Sequence, residues 1–123
     1  MTPLKKRILI IDDDKFFIKL MNMALTQSGY EVLLAMQGNE AIDVLKHQSV
    51  DLIIVDLMMP ELDGLGFLHW LREEKHLNIP TLVQTGMATE STEIEVKAAG
   101  ATALLYKPVK VIDLIAKIKE LLL

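Results

Sequence analysis

Asp51-Leu-Ile-Ile-Val-Asp-Leu-Met-Met-Pro60 is the stretch on which the reading of this chain turns. The apolar run Leu52 to Val55 is too short for a typical helix, and β-branched side chains dominate it. Such a run reads as a strand buried on both faces, as in a parallel sheet. It ends on Asp56, a carboxylate placed where the strand leaves the core. In an open α/β sheet, the carboxyl ends of the strands are where ligands and chemistry collect. The other residues therefore have to be judged by whether they converge on Asp56.

Working outward, short apolar runs alternate with amphipathic segments. Arg7 to Ile11 is a strand followed by Asp12-Asp13-Asp14. Phe17, Leu20, Met21, Ala24 and Leu25 then share a helical face, with Asp14 as N-cap and Ser28-Gly29 as the stop. Glu31 to Met36 is a weaker strand, and Gly38-Asn39 opens a helix carrying Ala41, Ile42, Val44 and Leu45. After Asp56, Pro60 to Gly64 forms a turn, and Leu65, Leu68 and Leu71 mark the third helix. Thr81 to Thr85 is a strand ending on a hydroxyl. The helix after it, Thr89 to Ala99, has a thin apolar face of Ile94, Val96, Ala98 and Ala99. Ala101 to Tyr106 is the last strand, closed by Lys107-Pro108, and Val111, Leu114, Ile115, Ile118, Leu121 and Leu122 face the core from a final helix. Five βα units demand parallel strands, right-handed crossovers and helices on both faces of the sheet.

The 123 residues suit one domain with a single core. With 51% hydrophobic and 24% charged residues, the balance is globular. No apolar run approaches the roughly 18 residues of a membrane span, and the basic start lacks the apolar stretch of a signal peptide. The absence of cysteine removes disulfides and thiolate chemistry, and a net charge of −4 gives nucleic acid no basic face. The expected location is the cytoplasm.

The strand ends carry Asp12 and Asp13, Asp56, Thr85 and Lys107, and a parallel sheet places them all on one rim. A pair of like charges about 4 Å apart costs roughly 4 kcal/mol at an effective dielectric near 20, so three carboxylates there require a cation. Oxygen ligands without His or Cys point to Mg²⁺ rather than zinc. A divalent ion, the Lys107 ammonium and the Thr85 hydroxyl together make a trap for a phosphoryl group, with Asp56 as nucleophile.

The motifs Ile8-Leu-Ile-Ile-Asp-Asp-Asp14, Val55-Asp-Leu-Met-Met-Pro-Glu-Leu-Asp-Gly64, Gln84-Thr-Gly86 and Tyr106-Lys-Pro108, in that order and spacing, resemble the receiver domain of two-component response regulators. The resemblance covers essentially the whole chain. It implies a flavodoxin-like (βα)5 fold, a doubly wound parallel sheet of order 2-1-3-4-5, phosphorylated by a sensor histidine kinase or a histidine phosphotransfer protein. On matching positions Asp56 is the phosphoacceptor, and Thr85 and Lys107 contact the phosphoryl group. Asp13 is a direct Mg²⁺ ligand, Asp12 a ligand through water, and Met58 offers its backbone carbonyl. Lys107-Pro108 is expected to be cis. Residues 1–123 then form one receiver without an output domain, either free-standing or part of a longer protein. It would signal to an unnamed downstream protein through the surface around the fourth helix and fifth strand, as a monomer or a phosphorylation-dependent dimer.

Two departures from the family pattern stand out. Leu104 occupies the position where receivers often carry an aromatic switch residue, while Tyr106 sits directly before Lys107. Lys110 replaces a capping Asp or Ser, at about 0.3–1 kcal/mol if exposed. Met58 and Met87, at positions that tune phosphate lifetime in this family, are apolar and cannot orient an attacking water. A slowly hydrolysing aspartyl phosphate is the expectation.

Other readings stay beside this one. Asp14 is a sufficient N-cap by itself, and Asp12 and Asp13 alone read equally as a helix start or as metal ligands until Asp56 is added. An aspartate-nucleophile phosphohydrolase would use Asp12 and Asp14, but it wants Thr or Val where Lys15 stands. An interaction module would keep the fold without phosphate chemistry. His47, His69 and His76 lack ligand spacing, Met21, Met23, Met36 and Met59 read as packing, and Trp70 as a half-buried amphipathic residue.

Overall fold

The computed structural model describes residues 5–58, 63–86 and 89–122. The turn expected from Pro60, and the methionines at 59 and 87, lie outside the described residues.

Five parallel strands alternate with five helices. They are β1 (Arg7–Ile11), α1 (Lys15–Gln27), β2 (Glu31–Ala35), α2 (Gly38–His47), β3 (Leu52–Asp56), α3 (Gly64–His69), β4 (Thr81–Thr85), α4 (Glu90–Ala98), β5 (Ala103–Tyr106) and α5 (Val111–Leu121). A π-helical turn, Trp70–Glu74, prolongs α3. The strand order is β2-β1-β3-β4-β5, the doubly wound, flavodoxin-like arrangement expected from the sequence. β3 lies at the centre, with every residue from Leu52 to Asp56 buried. That is why its sequence does not alternate.

Alternate residues of each strand feed two cores. Leu9, Ile53, Val55 and Val83 pack with Ala41 of α2, Phe67 and Leu68 of α3 and Val96 of α4. Ile8, Ile10, Ile54 and Leu82 pack with Ile18, Met21 and Leu25 of α1 and Leu114 and Ile118 of α5. Each fully buried Leu, Ile or Phe contributes about 1.5–3 kcal/mol of apolar burial. Phe67 also stacks against half-buried Trp70, centroids 6.0 Å apart.

The helix faces differ in detail from expectation. On α1 the buried residues are Ile18, Met21 and Leu25, while Leu20 is exposed. On α4 they are Thr92 and Val96, while Ile94 and Ala98 face outward. On α3 Phe67 joins Leu68 in the core and Leu65 is only half-buried. Asp14 caps α1, its Oδ1 accepting from the N–H groups of Phe16 and Phe17 at 3.0 and 3.1 Å. Gly29 follows with φ 96°, the left-handed conformation that ends the helix. α5 starts from Lys110 with no side-chain cap bond.

Candidate functional site

Two strand ends at the C-terminal rim of the sheet, those of β1 and β3, bring the acids together. β1 ends so that Asp12 follows Ile11 directly, and its N–H donates to the Ala35 carbonyl of β2 at 3.1 Å. The Asp12 carboxylate is completely buried, and its Oδ1 accepts from the Asp14 N–H at 2.9 Å. Asp13 is exposed beside it. Asp56 closes β3 at 5% exposure, its Oδ1 accepting from the Met58 N–H at 3.2 Å. Oxygens of Asp12, Asp13 and Asp56 all lie within 4.8 Å of one another.

Gly64 packs against the backbone just past Asp56. Its N–H donates to the Leu57 carbonyl at 3.0 Å, so the first turn of α3 rests on the residue that follows the acid. A Cβ on Gly64 would stand 2.8 Å from Leu57 Cα and 2.9 Å from the Asp56 carbonyl oxygen, and both are backbone atoms that cannot yield cheaply. Asp63 fixes the same turn by accepting from the Gly66 N–H at 2.8 Å.

Lys107 reaches the acids from β5. Its Nζ donates to Asp56 Oδ2 at 3.0 Å and lies 3.7 Å from Asp12 Oδ2. The Phe17 ring of α1 sits beneath the ammonium, 5.9 Å to the centroid, a cation–π distance. The Lys107 N–H donates to the Thr85 carbonyl at 2.8 Å, and the Lys107–Pro108 bond is cis. Thr85 is fully buried at the end of β4. Alternation along that strand puts its side chain on the sheet face of Val83, opposite the face from which Asp56 departs.

Electrostatics follow from this crowding. Burial raises the Asp12 carboxyl above the ordinary carboxylate range; the Asp14 N–H and Lys107 pull it down, while Asp56 and Asp13 add to the rise. For Lys107, burial works downward, but the Asp56 hydrogen bond and the charges of Asp12 and Asp56 outweigh it, and the ammonium is held above its usual value. Asp12 Oδ2 is buried without a hydrogen-bond partner among the described residues. A buried unsatisfied oxygen costs about 1–3 kcal/mol, more when charged. Three hard oxygen donors within reach of one another, with one buried oxygen of Asp12 left without a hydrogen bond among the described residues, suit a divalent cation such as Mg²⁺.

A family model described as "Response regulator receiver domain" matches residues 8–119. This chain belongs to that family. Among curated relatives, the polar-differentiation response regulator DivK of Brucella ovis is 32% identical over 118 residues, covering 95% of this chain and 96% of its own. Among solved structures, a CheY-like response regulator receiver domain protein from Methanospirillum hungatei is 31% identical with a TM-score of 0.90, covering 97% of this chain and 94% of its own. The chemotaxis protein CheY4 of Vibrio cholerae is 29% identical with a TM-score of 0.91, covering 97% and 100%.

Within this receiver, the sequence places Asp12, Asp13, Asp56, Thr85 and Lys107 on one rim; the structure brings Asp12, Asp13, Asp56 and Lys107 together there, and leaves the Thr85 side chain on the other face at the end of β4. Asp14, a candidate acid in the phosphohydrolase reading, is engaged as the cap of α1. Leu104 packs partly buried against the core on the Val83 side, and Tyr106 is exposed, its hydroxyl donating to Glu93 Oε2 at 3.3 Å. His47, His69 and His76 are exposed. Two residues have a place at the site that the sequence does not announce. Phe17 packs against the core as its spacing on α1 predicts, and also stands under the lysine. Gln84, in the sequence the first residue of the Gln84-Thr-Gly86 motif at the end of a strand, is fully buried beside Asp56. A lone amide in an otherwise apolar run was the available signal for it.

Proposed function

We propose that this receiver accepts a phosphoryl group on Asp56 from the phosphohistidine of a sensor histidine kinase or histidine phosphotransfer protein. The observation that carries this reading is the meeting of three carboxylates within 4.8 Å with an ammonium 3.0 Å from one of them. An Asp56 oxygen attacks phosphorus, forming an O–P bond as the P–N bond breaks. The electron pair goes to the imidazole nitrogen, and the ring leaves as neutral imidazole because its other nitrogen carries a proton. Lys107 balances charge on the phosphoryl oxygens, and Thr85, whose side chain starts on the other face at the end of β4, turns round that end to donate to one of them. Asp12, Asp13, Asp56 and the Met58 carbonyl are the residues that would hold Mg²⁺, whose contribution when bound is to neutralise the crowded acids and the phosphoryl oxygens.

Residues 1–123 act as one receiver unit, whose phosphorylation shifts the population of the α4–β5 surface toward a form read by a downstream protein. α4 suits such a shift, because Thr92 and Val96 are its only core residues. No helix among the described residues is long and apolar enough to cross a membrane, and we place the reaction in the cytoplasm. The test is incubation with Mg²⁺ and acetyl phosphate, followed by intact mass and peptide mapping. One added phosphoryl group on Asp56, lost in Asp56→Asn, is the expected result. Release of phosphate from many monoesters would favour the hydrolase reading, and no reaction of either kind the interaction module.

A further inference from the structure

Gln84 is 0% exposed, and neither its Oε1 nor its Nε2 has a hydrogen-bond partner among the described residues. A carboxamide left unpaired in a core opposes folding, and a Leu or Met of similar size would not. Its surroundings explain why the position is polar. Gln84 pairs with Asp56 across β3–β4 and with Leu105 across β4–β5. Alternation puts its side chain on the face of Leu82, which also carries Ile10, Ile54 and Leu105. Asp12, Asp56 and Lys107 each lie two residues beyond one of these last three, and leave from the same face. Lys107, directly after β5, reaches Asp56, on β3, at 3.0 Å. β4 is the strand between them. The lysine side chain therefore spans β4 on the face that carries Gln84. The three buried side-chain atoms without hydrogen-bond partners among the described residues are Asp12 Oδ2 and the two amide atoms of Gln84, all on this one face.

We propose that Gln84 is a positioning residue for phosphoryl transfer, holding the Lys107 ammonium in place when Asp56 gives up its charge. This rests on the reading of Asp56 as phosphoacceptor. In the resting protein one ammonium proton goes to Asp56 Oδ2, and Asp12 Oδ2 at 3.7 Å is too far for a full hydrogen bond. Once an O–P bond forms at Asp56, that carboxylate no longer anchors the lysine. Oε1 of Gln84 then accepts from Nζ, and Nε2 donates to the remaining Asp56 oxygen. An amide does this without adding a fourth negative charge to three acids, which a glutamate there would do.

The experiment compares the wild-type chain with Gln84→Met. The variant is expected to unfold at equal or higher urea concentration, and to bind Mg²⁺ as the wild type does by calorimetry. At saturating acetyl phosphate it should acquire phosphate roughly tenfold more slowly, with KM unchanged, as for the loss of one hydrogen bond to a charged group. Equal phosphorylation rates would reduce Gln84 to a buried misfit and overturn the proposal. Should the variant not fold, the wild-type side-chain amide resonances decide. On addition of Mg²⁺ and beryllofluoride the Gln84 NH₂ signals should move while those of Gln27, Gln37 and Gln48 stay, and stationary Gln84 signals refute the proposal. A wild-type chain that takes no phosphoryl group overturns both readings, whereas equal labelling of both chains overturns this one alone.

Discussion

At the N-terminal ends of the strands, Arg72 enters from the π-helical turn and donates to the Gly100 carbonyl at 2.9 and 3.1 Å, the Leu77 carbonyl at 2.7 Å and Thr81 Oγ1 at 3.3 Å. Nearby, the Arg7 N–H donates to Asp51 Oδ2 at 2.8 Å, and its Nε to Glu31 at 3.0 Å. At the opposite rim, three acids share one lysine, and one carboxylate oxygen and a whole carboxamide are buried unpaired. One end of the sheet satisfies its polar groups; the other leaves them partly unsatisfied. Interactions at the first end are spent on folding, and those withheld at the second are available to a ligand. Local rules are broken where function resides.

The widest separation between the two ends should come from Asp56→Asn and Arg72→Met. Asp56→Asn should abolish phosphoryl uptake, read by intact mass, while the chain still unfolds cooperatively in urea. Arg72→Met should do the reverse, because it leaves carbonyls in a part-buried joint without their donor. We expect a loss of about 3 kcal/mol in urea unfolding, with Asp56 still labelled. A labelling defect in the arginine variant at temperatures where it is folded would break the division of labour.

Asp12 sharpens the comparison through pH. Its carboxyl is raised above its ordinary value of 3.8, chiefly by burial. The folded chain therefore holds this proton more tightly than the unfolded one. The stability associated with the proton is fully present below the unfolded value and is lost as pH rises through the folded value. Without metal, Asp12→Asn should be more stable than wild type at neutral pH, and the gain should shrink as pH falls toward 3.8. Added Mg²⁺ should stabilise the wild type and leave the variant nearly unmoved. Equal urea midpoints at neutral pH in the absence of metal would show that the buried acid carries no cost.

Much of the rim was legible because strand ends announce themselves: an apolar run that stops on Asp12, Asp56, Thr85 or Lys107 fixes the position at the rim, while the face is set by strand alternation, which separates Thr85 from Asp56. The helix faces were harder to read. Both Ile18-Met21-Leu25 and Phe16-Leu20-Met23 follow helical spacing on α1, and only the sheet decides which stripe packs; Phe16, Leu20 and Met23 stay exposed. Ile94 misled for the same reason, since α4 buries Thr92 instead. Arg72 gave no signal, because its role depends on the π-helical turn and on the close approach of Gly100, whose φ is 108°. Gln84 was visible but had no meaning until the register set it opposite Asp56.

The smallest effect belongs to Met58, at the margin of the unsatisfied rim. Its backbone N–H serves Asp56 Oδ1 at 3.2 Å, whereas its side chain is 62% exposed. Backbone and side chain are thus separable there: a substitution changes what an approaching water meets without disturbing the acid. A thioether is at best a weak acceptor and cannot orient a water for attack on phosphorus. Met58→Asn puts a donor and an acceptor at that spot, and the acyl phosphate should decay severalfold faster. The measurement is its half-life by intact mass after the donor is removed, with urea unfolding as the control. An unchanged half-life would mean that the attacking water is placed from elsewhere on the rim, and that the side chain two residues beyond Asp56 has no hold on the lifetime of the signal.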